Sequence, residues 1–426
     1  MALKQLDPTP RSYPVSVTLR RRSARGPAAA PAGQSFDRIE EWLLGDAAAE
    51  NDLLEFYESL VWRLVAAGMP LDRASLHVGT LHPQLSGFAW NWNSTDGLCD
   101  EVKVAEAALK ADSYRRNPLF AVIDRGEFFR GRTDDRVARA RYPLMDDLAK
   151  QGIVEYIALP LRAGGTYHNV ATIATRRSEG FTDGQLADLK RILRLFSLHV
   201  ERHIARRIAG NVLDTYLGAA AGSRVLDGAI KRGAGEAIRS IIWISDLRGF
   251  TDLTERLSGP DMIALLNAYF ERLAGAVLDH GGEVLKFIGD GLLAVFPFAS
   301  YADEPAAARA ALDAAEQAVA ALARLNERPS PEVAGITGWR PLRTGVALHE
   351  GEVFFGNVGA AERLDFTVIG RAVNAASRVE GLSKSLGRDI LISEMVARRL
   401  DRPLDELGRH ELRGVAEPMA IYSPRR

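Results

Sequence analysis

The chain is poor in several features that would each have narrowed its chemistry. Among its 426 residues only Cys99 is a cysteine. No intrachain disulfide is therefore possible, as expected of a protein kept in a reducing, cytoplasmic compartment. Charge of one sign is also lacking: 54 basic residues face 55 acidic ones, a formal net charge of -1. No global field favours nucleic acid or an anionic membrane surface as a partner. Long apolar runs are missing too. The best stretch, residues 157–175, is interrupted by Arg162, Gly164, Gly165 and His168, so no membrane span is expected. The N-terminus has no apolar run followed by small residues, and no secretory leader is expected. The few histidines form no cluster with zinc-ligand spacing. No Gly-x-Ser-x-Gly, Walker or Rossmann pattern occurs, and there is no internal repeat.

The chain does have enough apolar residues, 47%, for two or three ordinary domain cores. Residues 1–34 read as a disordered tail, with a basic run at Arg20, Arg21, Arg22 and Arg25 and an Ala/Pro/Gly-rich stretch after it. Residues 35–208 read as an α+β module. Leu53, Tyr57, Leu60 and Leu64 share a helix face. Strand patterns follow at 74–80 and 87–92, and a hairpin is expected from 154–161 and 169–175 around Gly164 and Gly165. Thr182 and Gln185 make a capping box at the start of a helix. Leu186, Leu189, Leu193, Phe196 and Val200 then form a seam, which Ile204 and Ile208 extend. Such a seam packs either on its own domain or in a parallel dimeric helix; the charged neighbours Lys190, Arg191, Arg194, Glu201 and Arg202 favour the dimer. Residues 209–238 are expected to be a helical linker ending in a joint at Gly228, Gly233 and Gly235.

Residues 239–426 give a clearer pattern. A strand ends near Ser245. A helix opens at Pro260 and Asp261, with Ile263, Leu266, Phe270, Leu273 and Val277 as its apolar face, and stops at Gly281 and Gly282. A hairpin over 283–296 turns at Asp290 and Gly291. An Ala-rich helix covers 306–325, strands cover 343–348, 352–358 and 364–369, and a helix covers 372–386. The order β-α-β-β-α-β is the split, ferredoxin-like α+β unit.

Two acidic residues stand out within it. Asp246 follows an apolar strand and enters an Arg-Gly-Phe-Thr turn. Asp290 sits in a Gly-Asp-Gly turn between two more strands. Either one alone fits an N-cap or an ordinary turn aspartate. Together, at strand ends, they are what a pair of divalent cations needs, and they point to phosphoryl-type chemistry on a nucleotide.

Four segments carry a resemblance: Ser245-Asp-Leu-Arg-Gly-Phe-Thr251, Gly281-Gly-Glu-Val-Leu-Lys-Phe-Ile-Gly-Asp-Gly291, Thr344-Gly-Val-Ala-Leu-His-Glu-Gly-Glu-Val-Phe-Phe-Gly-Asn-Val-Gly359 and Asp365-Phe-Thr-Val-Ile-Gly-Arg-Ala-Val-Asn-Ala-Ala-Ser-Arg378. In unbroken order from about Arg239 to Tyr422, they resemble the class III nucleotidyl cyclase catalytic domain. The resemblance implies conversion of ATP to 3′,5′-cyclic AMP and pyrophosphate by a homodimer with two composite active sites. Asp246 and Asp290, with the backbone carbonyl of Leu247, match the ligands of two Mg²⁺ or Mn²⁺ ions. Lys286 matches the lysine that reads adenine; as a donor-only group it suits the ring N1 acceptor. Thr367 stands where adenylate cyclases most often have aspartate. Its hydroxyl still accepts from the adenine amino group, and threonine there resembles a bicarbonate-responsive subset. Asn374 matches the ribose-orienting asparagine and Arg378 the arginine that stabilises α-phosphate charge in the transition state; they lie four apart on one helix face. Arg413 matches a contact to the terminal phosphates. A guanylate or mixed-specificity cyclase and a silent nucleotide-binding module remain as alternatives.

The first module resembles a GAF domain through Ala158-Leu-Pro-Leu161 and Gly180-Phe-Thr-Asp183. The resemblance implies a regulatory role and a small-molecule ligand whose identity stays open. Trp90, Trp92, Tyr114, Phe128 and Tyr142 fit either a pocket lining or core packing.

Overall fold

The computed structural model describes residues 11–80, 85–110, 112–161, 169–360, 362–415 and 417–425. The expected turn at Gly164 and Gly165 lies outside these residues, as do Arg162, His168 and the first ten residues of the expected tail. The chain divides after Val212 into two compact units. No helix among the described residues is long and apolar enough to cross a membrane.

The first unit holds a seven-stranded sheet built from β1 (Val17–Ser23), β2 (Arg73–Gly79), β3 (Leu85–Asn93), β4 (Cys99–Ala105), β5 (Phe129–Arg132), β6 (Glu155–Leu161) and β7 (Asn169–Thr175), in the order β1-β4-β3-β2-β7-β6-β5. Period-two alternation places Ala74, Leu76 and Val78 of β2 in the main core. Helix Leu53–Ala66 packs there through Leu53, Tyr57, Leu60 and Leu64, all buried. The capping box forms as the spacing predicts: the Thr182 amide donates to Gln185 Oε1 at 3.0 Å, and the Gln185 amide donates to Thr182 Oγ1 at 3.2 Å.

Two expectations are corrected in this unit. Part of the stretch read as a disordered tail is strand β1, antiparallel to β4. Its arginines are neutralised there: Arg20 and Arg21 pair with Glu101 at 2.6 Å each, and Arg22 pairs with Asp100 at 2.6 Å. The seam of the long helix Asp183–Leu217 is also not a free surface. Leu186, Leu189, Leu193, Phe196 and Val200 are buried in the unit's own core.

The second unit contains β8 (Gly235–Leu247), β9 (Glu283–Ile288), β10 (Gly291–Pro297), β11 (Thr344–Gly359), β12 (Leu364–Ile369), β13 (Ile390–Ser393), β14 (Leu404–His410) and β15 (Met419–Pro424). The order is β14-β15-β13-β11-β8-β10-β9, with β12 paired to β11. The central run β11-β8-β10-β9 is that of the split β-α-β-β-α-β unit. Helices Gly259–Asp279 and Glu304–Glu327 close one face over Trp243, Tyr269 and Phe296. Helices Ala219–Leu226 and Arg371–Gly381 pack on the other, with Ile242, Leu285, Val353 and Phe366.

Here too the sequence reading is corrected in places. Helix Gly259–Asp279 buries Met262, Leu265, Tyr269, Leu273 and Val277, while Ile263 is 61% exposed; its buried face is rotated from the one expected. The strands expected at 343–348 and 352–358 are one continuous strand, β11. The helix expected to reach residue 386 ends at Gly381.

Candidate active site

Antiparallel pairing of β8 with β10 sets Leu292 opposite Ser245, and thereby brings the following Asp246 alongside the turn before β10. Gly289 adopts φ +63 in the two-residue loop between Ile288 and Gly291. A side chain resists that left-handed conformation, and the tight turn it allows delivers Asp290 to Asp246. The Asp290 carboxyl is pushed up to about 6, first by burial and then by the neighbouring Asp246 charge. Among the described residues no lysine or arginine forms an ion pair with either carboxylate. Beneath them is a chain of hydroxyls: Thr344 Oγ1 donates to the Asp246 carbonyl at 3.0 Å, and it lies 2.9 Å from the buried Tyr269 hydroxyl.

The turn after Asp246 is anchored from behind. The Arg248 amide donates to the Arg343 carbonyl at 2.9 Å. Its guanidinium donates to the carbonyls of Ser383, at 3.3 Å, and Arg388, and lies 3.3 Å from Asp389 Oδ1. This fixes the backbone at Leu247, whose side chain is buried.

Among the described residues no hydrogen bond or ion pair joins the other matched residues to these carboxylates. The Lys286 ammonium forms an ion pair with Asp365. Thr367 lies two residues further along β12, 8% exposed and in register with Gly356 of β11. Asn374 and Arg378 sit on helix Arg371–Gly381, Asn374 exposed and Arg378 half-buried. The Arg378 guanidinium lies against Gly414, where a Cβ would come within 3.2 Å of Nη1. Gly414 follows the exposed Arg413. The described residues thus show a carboxylate pair at Asp246 and Asp290, a Lys286–Asp365 ion pair on the strand that carries Thr367, and Arg378 against Gly414.

Residues 238–423 match the family described as the adenylate and guanylate cyclase catalytic domain. This segment is similar to cyclase catalytic domains. It is 37% identical over 174 residues to an adenylate cyclase of Anabaena cylindrica, an alignment covering 41% of this chain and 33% of the relative. It is 34% identical to adenylate cyclase 1 of Rhizobium meliloti, covering 42% of this chain and 26% of that protein. The chain thus spans about a third or less of the length of these two relatives. Among solved structures, the adenylyl cyclase CyaB from P. aeruginosa is 29% identical, with 45% of this chain and 98% of that chain covered and a TM-score of 0.40.

The donor set at Asp246, Leu247 and Asp290 fits a hard divalent cation. Carboxylate oxygens and a backbone carbonyl are the ligands such ions prefer, and a magnesium ion commonly takes only one or two carboxylates before phosphate and water complete its shell. The unneutralised Asp246–Asp290 pair is short of positive charge, as a cation site should be. Among the described residues no group of three or more histidine, cysteine or acidic side chains forms a metal cluster, so any ion would depend on the nucleotide for further ligands.

Sequence reading missed three features of this region. Asp365 is the ionic partner of Lys286; its place two residues before Thr367, on the same face of a strand, was the available signal. Glu380 is pushed up by burial, with Asp246 and Asp290 adding to the effect, and it accepts from Ser383 Oγ at 3.1 Å. Gly345 leaves room for that contact, since a Cβ there would lie 2.3 Å from Glu380 Oε1. No motif signals the Glu380 contact.

Proposed function

We propose that the protein is an adenylate cyclase that converts ATP to 3′,5′-cyclic AMP and pyrophosphate in a homodimer. The observation that carries this reading is that, among the described residues, no hydrogen bond or ion pair joins the carboxylate pair to Lys286, Thr367, Asn374 or Arg378. Neither half suffices alone, and a second copy of the chain supplies the missing half to each site. Exposed apolar side chains next to the base-reading group support the same view: Phe287 and Ile288 are 51% and 59% exposed, and Ile369 is 48% exposed.

In this reading Asp246, Asp290 and the Leu247 carbonyl of one protomer hold two Mg²⁺ or Mn²⁺ ions, which when bound neutralise phosphate charge and acidify the ribose hydroxyl. Lys286 and Thr367 of the partner protomer read the adenine ring. Asn374 orients the ribose so that its 3′-oxygen lies in line with the α-phosphorus. As the new oxygen–phosphorus bond forms, the bond to the bridging oxygen breaks and pyrophosphate leaves. The hydroxyl proton passes to substrate phosphate or water, since no side chain in the motifs is placed as a general base. Arg378 stabilises charge on the α-phosphate during the step with a planar fork of donors, and Arg413 holds the terminal phosphates.

The first unit is read as a GAF-like regulatory domain that biases closure of the catalytic dimer through the long helix, in a cytoplasmic protein. Removing residues 1–208 without any change in rate or response would dismiss that role. The reaction itself is tested by incubating the purified full chain with ATP and GTP together under Mn²⁺ and following both cyclic products. Cyclic AMP should predominate; cyclic GMP in excess, or no cyclic product, contradicts the reading.

A further inference from the structure

We infer that Asp365 is a specificity-determining residue of the nucleotide site: it holds the Lys286 ammonium in place and offers its free oxygen to the exocyclic amine at position 6 of the purine. The inference rests on the cyclase reading above and adds to it the carboxylate that discriminates ATP from GTP.

The first support is geometric. β9 and β12 are not hydrogen-bonded neighbours in the sheet, yet Lys286 of β9 meets Asp365 Oδ2 of β12 in an ion pair. Leu285, Phe366 and Val368 turn into one shared core cluster. By strand alternation Asp365 and Thr367 lie on the opposite face of β12, while the register irregularity at Leu285 interrupts the alternation of β9 just before Lys286. The irregularity in β9 and the closure of this cluster bring the Lys286 ammonium to Asp365, two residues before Thr367 on β12.

The second support is the state of the pair. The Lys286 side chain is 25% exposed and that of Asp365 is 61% exposed. An ion pair this open contributes little to stability, so stability does not explain it. Lys286 engages Oδ2 of Asp365, and the largely exposed carboxylate keeps acceptor capacity on Oδ1. The ammonium has further donors beyond the one used by Asp365. The two groups thus present a donor and an acceptor next to one another.

The third support is the chemistry of the two purines. Adenine carries an acceptor at N1 and an amino donor at position 6. Guanine reverses the order, with an N–H at position 1 and a carbonyl acceptor at position 6. An ammonium opposite position 1 and a carboxylate opposite position 6 match adenine at both points. With guanine the same pair sets a cation against an N–H and a carboxylate against a carbonyl oxygen. Thr367 cannot impose this order by itself, because a hydroxyl both donates and accepts. A carboxylate accepts only, and Asp365 is the carboxylate at hand.

The test compares the full-length wild type with Asp365→Asn, Asp365→Ala and Asp365→Glu, with Lys286→Ala as a control. Steady-state kcat and KM are measured for ATP and GTP under Mn²⁺, alongside equilibrium binding of a fluorescent ATP analogue and its displacement by GTP. The exposed position of Asp365 makes folding of each variant straightforward to verify by circular dichroism. Asp365→Asn and Asp365→Ala should lower the ATP:GTP ratio of kcat/KM by roughly tenfold or more, mainly through KM for ATP. Displacement by GTP should strengthen in parallel, and Asp365→Glu should recover part of the preference. If the ratio and the displacement stay at wild-type values in Asp365→Asn and Asp365→Ala while Lys286→Ala changes them, the inference is overturned and the cyclase reading stands. If the wild type makes neither cyclic nucleotide, the cyclase reading fails and takes this inference with it.

Discussion

Asp290 and His349 show how single side chains set the behaviour of the catalytic unit. With its carboxyl pushed up to about 6 by burial and by Asp246, Asp290 is ionised at pH 7 at a cost to the folded state. That cost builds as pH rises from the ordinary carboxylate range to about 6 and is present in full above it. Asp290→Asn should therefore stabilise the metal-free protein at pH 7 by on the order of 1 kcal/mol, while lowering turnover by roughly a hundredfold or more. Millimolar Mg²⁺ should raise the thermal midpoint of the wild type and leave that of the variant unmoved; an Asn variant with normal turnover would contradict the metal role. His349 lies 5% exposed on β11, and its Nδ1 has no partner. Burial depresses its pKa from 6.5 to about 4, with Glu350 opposing. Between those values the unfolded chain binds a proton that the folded chain refuses, so stability falls as pH drops through the window, by on the order of 2 kcal/mol. His349→Gln should flatten the unfolding midpoint of the second unit between pH 7 and 5. A slope equal to that of the wild type would show that the imidazole is not its source.

Among the elements, β1 illustrates what local composition conceals. Glu101 of β4 is fully buried and faces Arg20, Arg21 and Arg207. Burial alone would raise its carboxyl, but the three guanidiniums outweigh burial and hold it below the usual range. Glu101→Gln removes the shared counter-charge and leaves the arginines clustered. It should destabilise the first unit by about 3 kcal/mol, read by urea denaturation, with faster amide exchange in Val17–Ser23; an unchanged midpoint would mean that the strand is held by its backbone pairing alone. The basic run was legible, but its acidic partners lie some eighty residues away in sequence, beyond any local pattern. The capping box at Thr182 was legible because both partners are local. The seam from Leu186 to Val200 was read correctly as apolar, but its periodicity cannot tell an intramolecular partner from a second chain. β11 was split in the reading because Gly351 resembles a break. In the fold that glycine admits helix Arg371–Gly381, since a Cβ there would lie 2.4 Å from the Ala372 Cβ. The carboxylate turn and the βαββαβ order were readable because apolar strands and Gly-Asp-Gly turns are compact signals. The Lys286–Asp365 pair was not, since it depends on how the sheet curves.

At the scale of the whole molecule, the claim is that no single chain is a working enzyme. Among the described residues no hydrogen bond or ion pair links the carboxylate pair to Arg378, and the apolar Phe287 and Ile288 beside Lys286 remain exposed. On the proposed reading function belongs to the dimer, and substitutions in different halves of the site should complement one another. The most direct measurement mixes Asp290→Ala and Arg378→Ala proteins, each nearly inactive alone, after co-expression or subunit exchange, and follows cyclic AMP production. Our account predicts recovered activity, because each mixed dimer has one site with intact carboxylates and an intact arginine. A mixture that stays as inactive as its components, while heterodimers are shown to form, would contradict it.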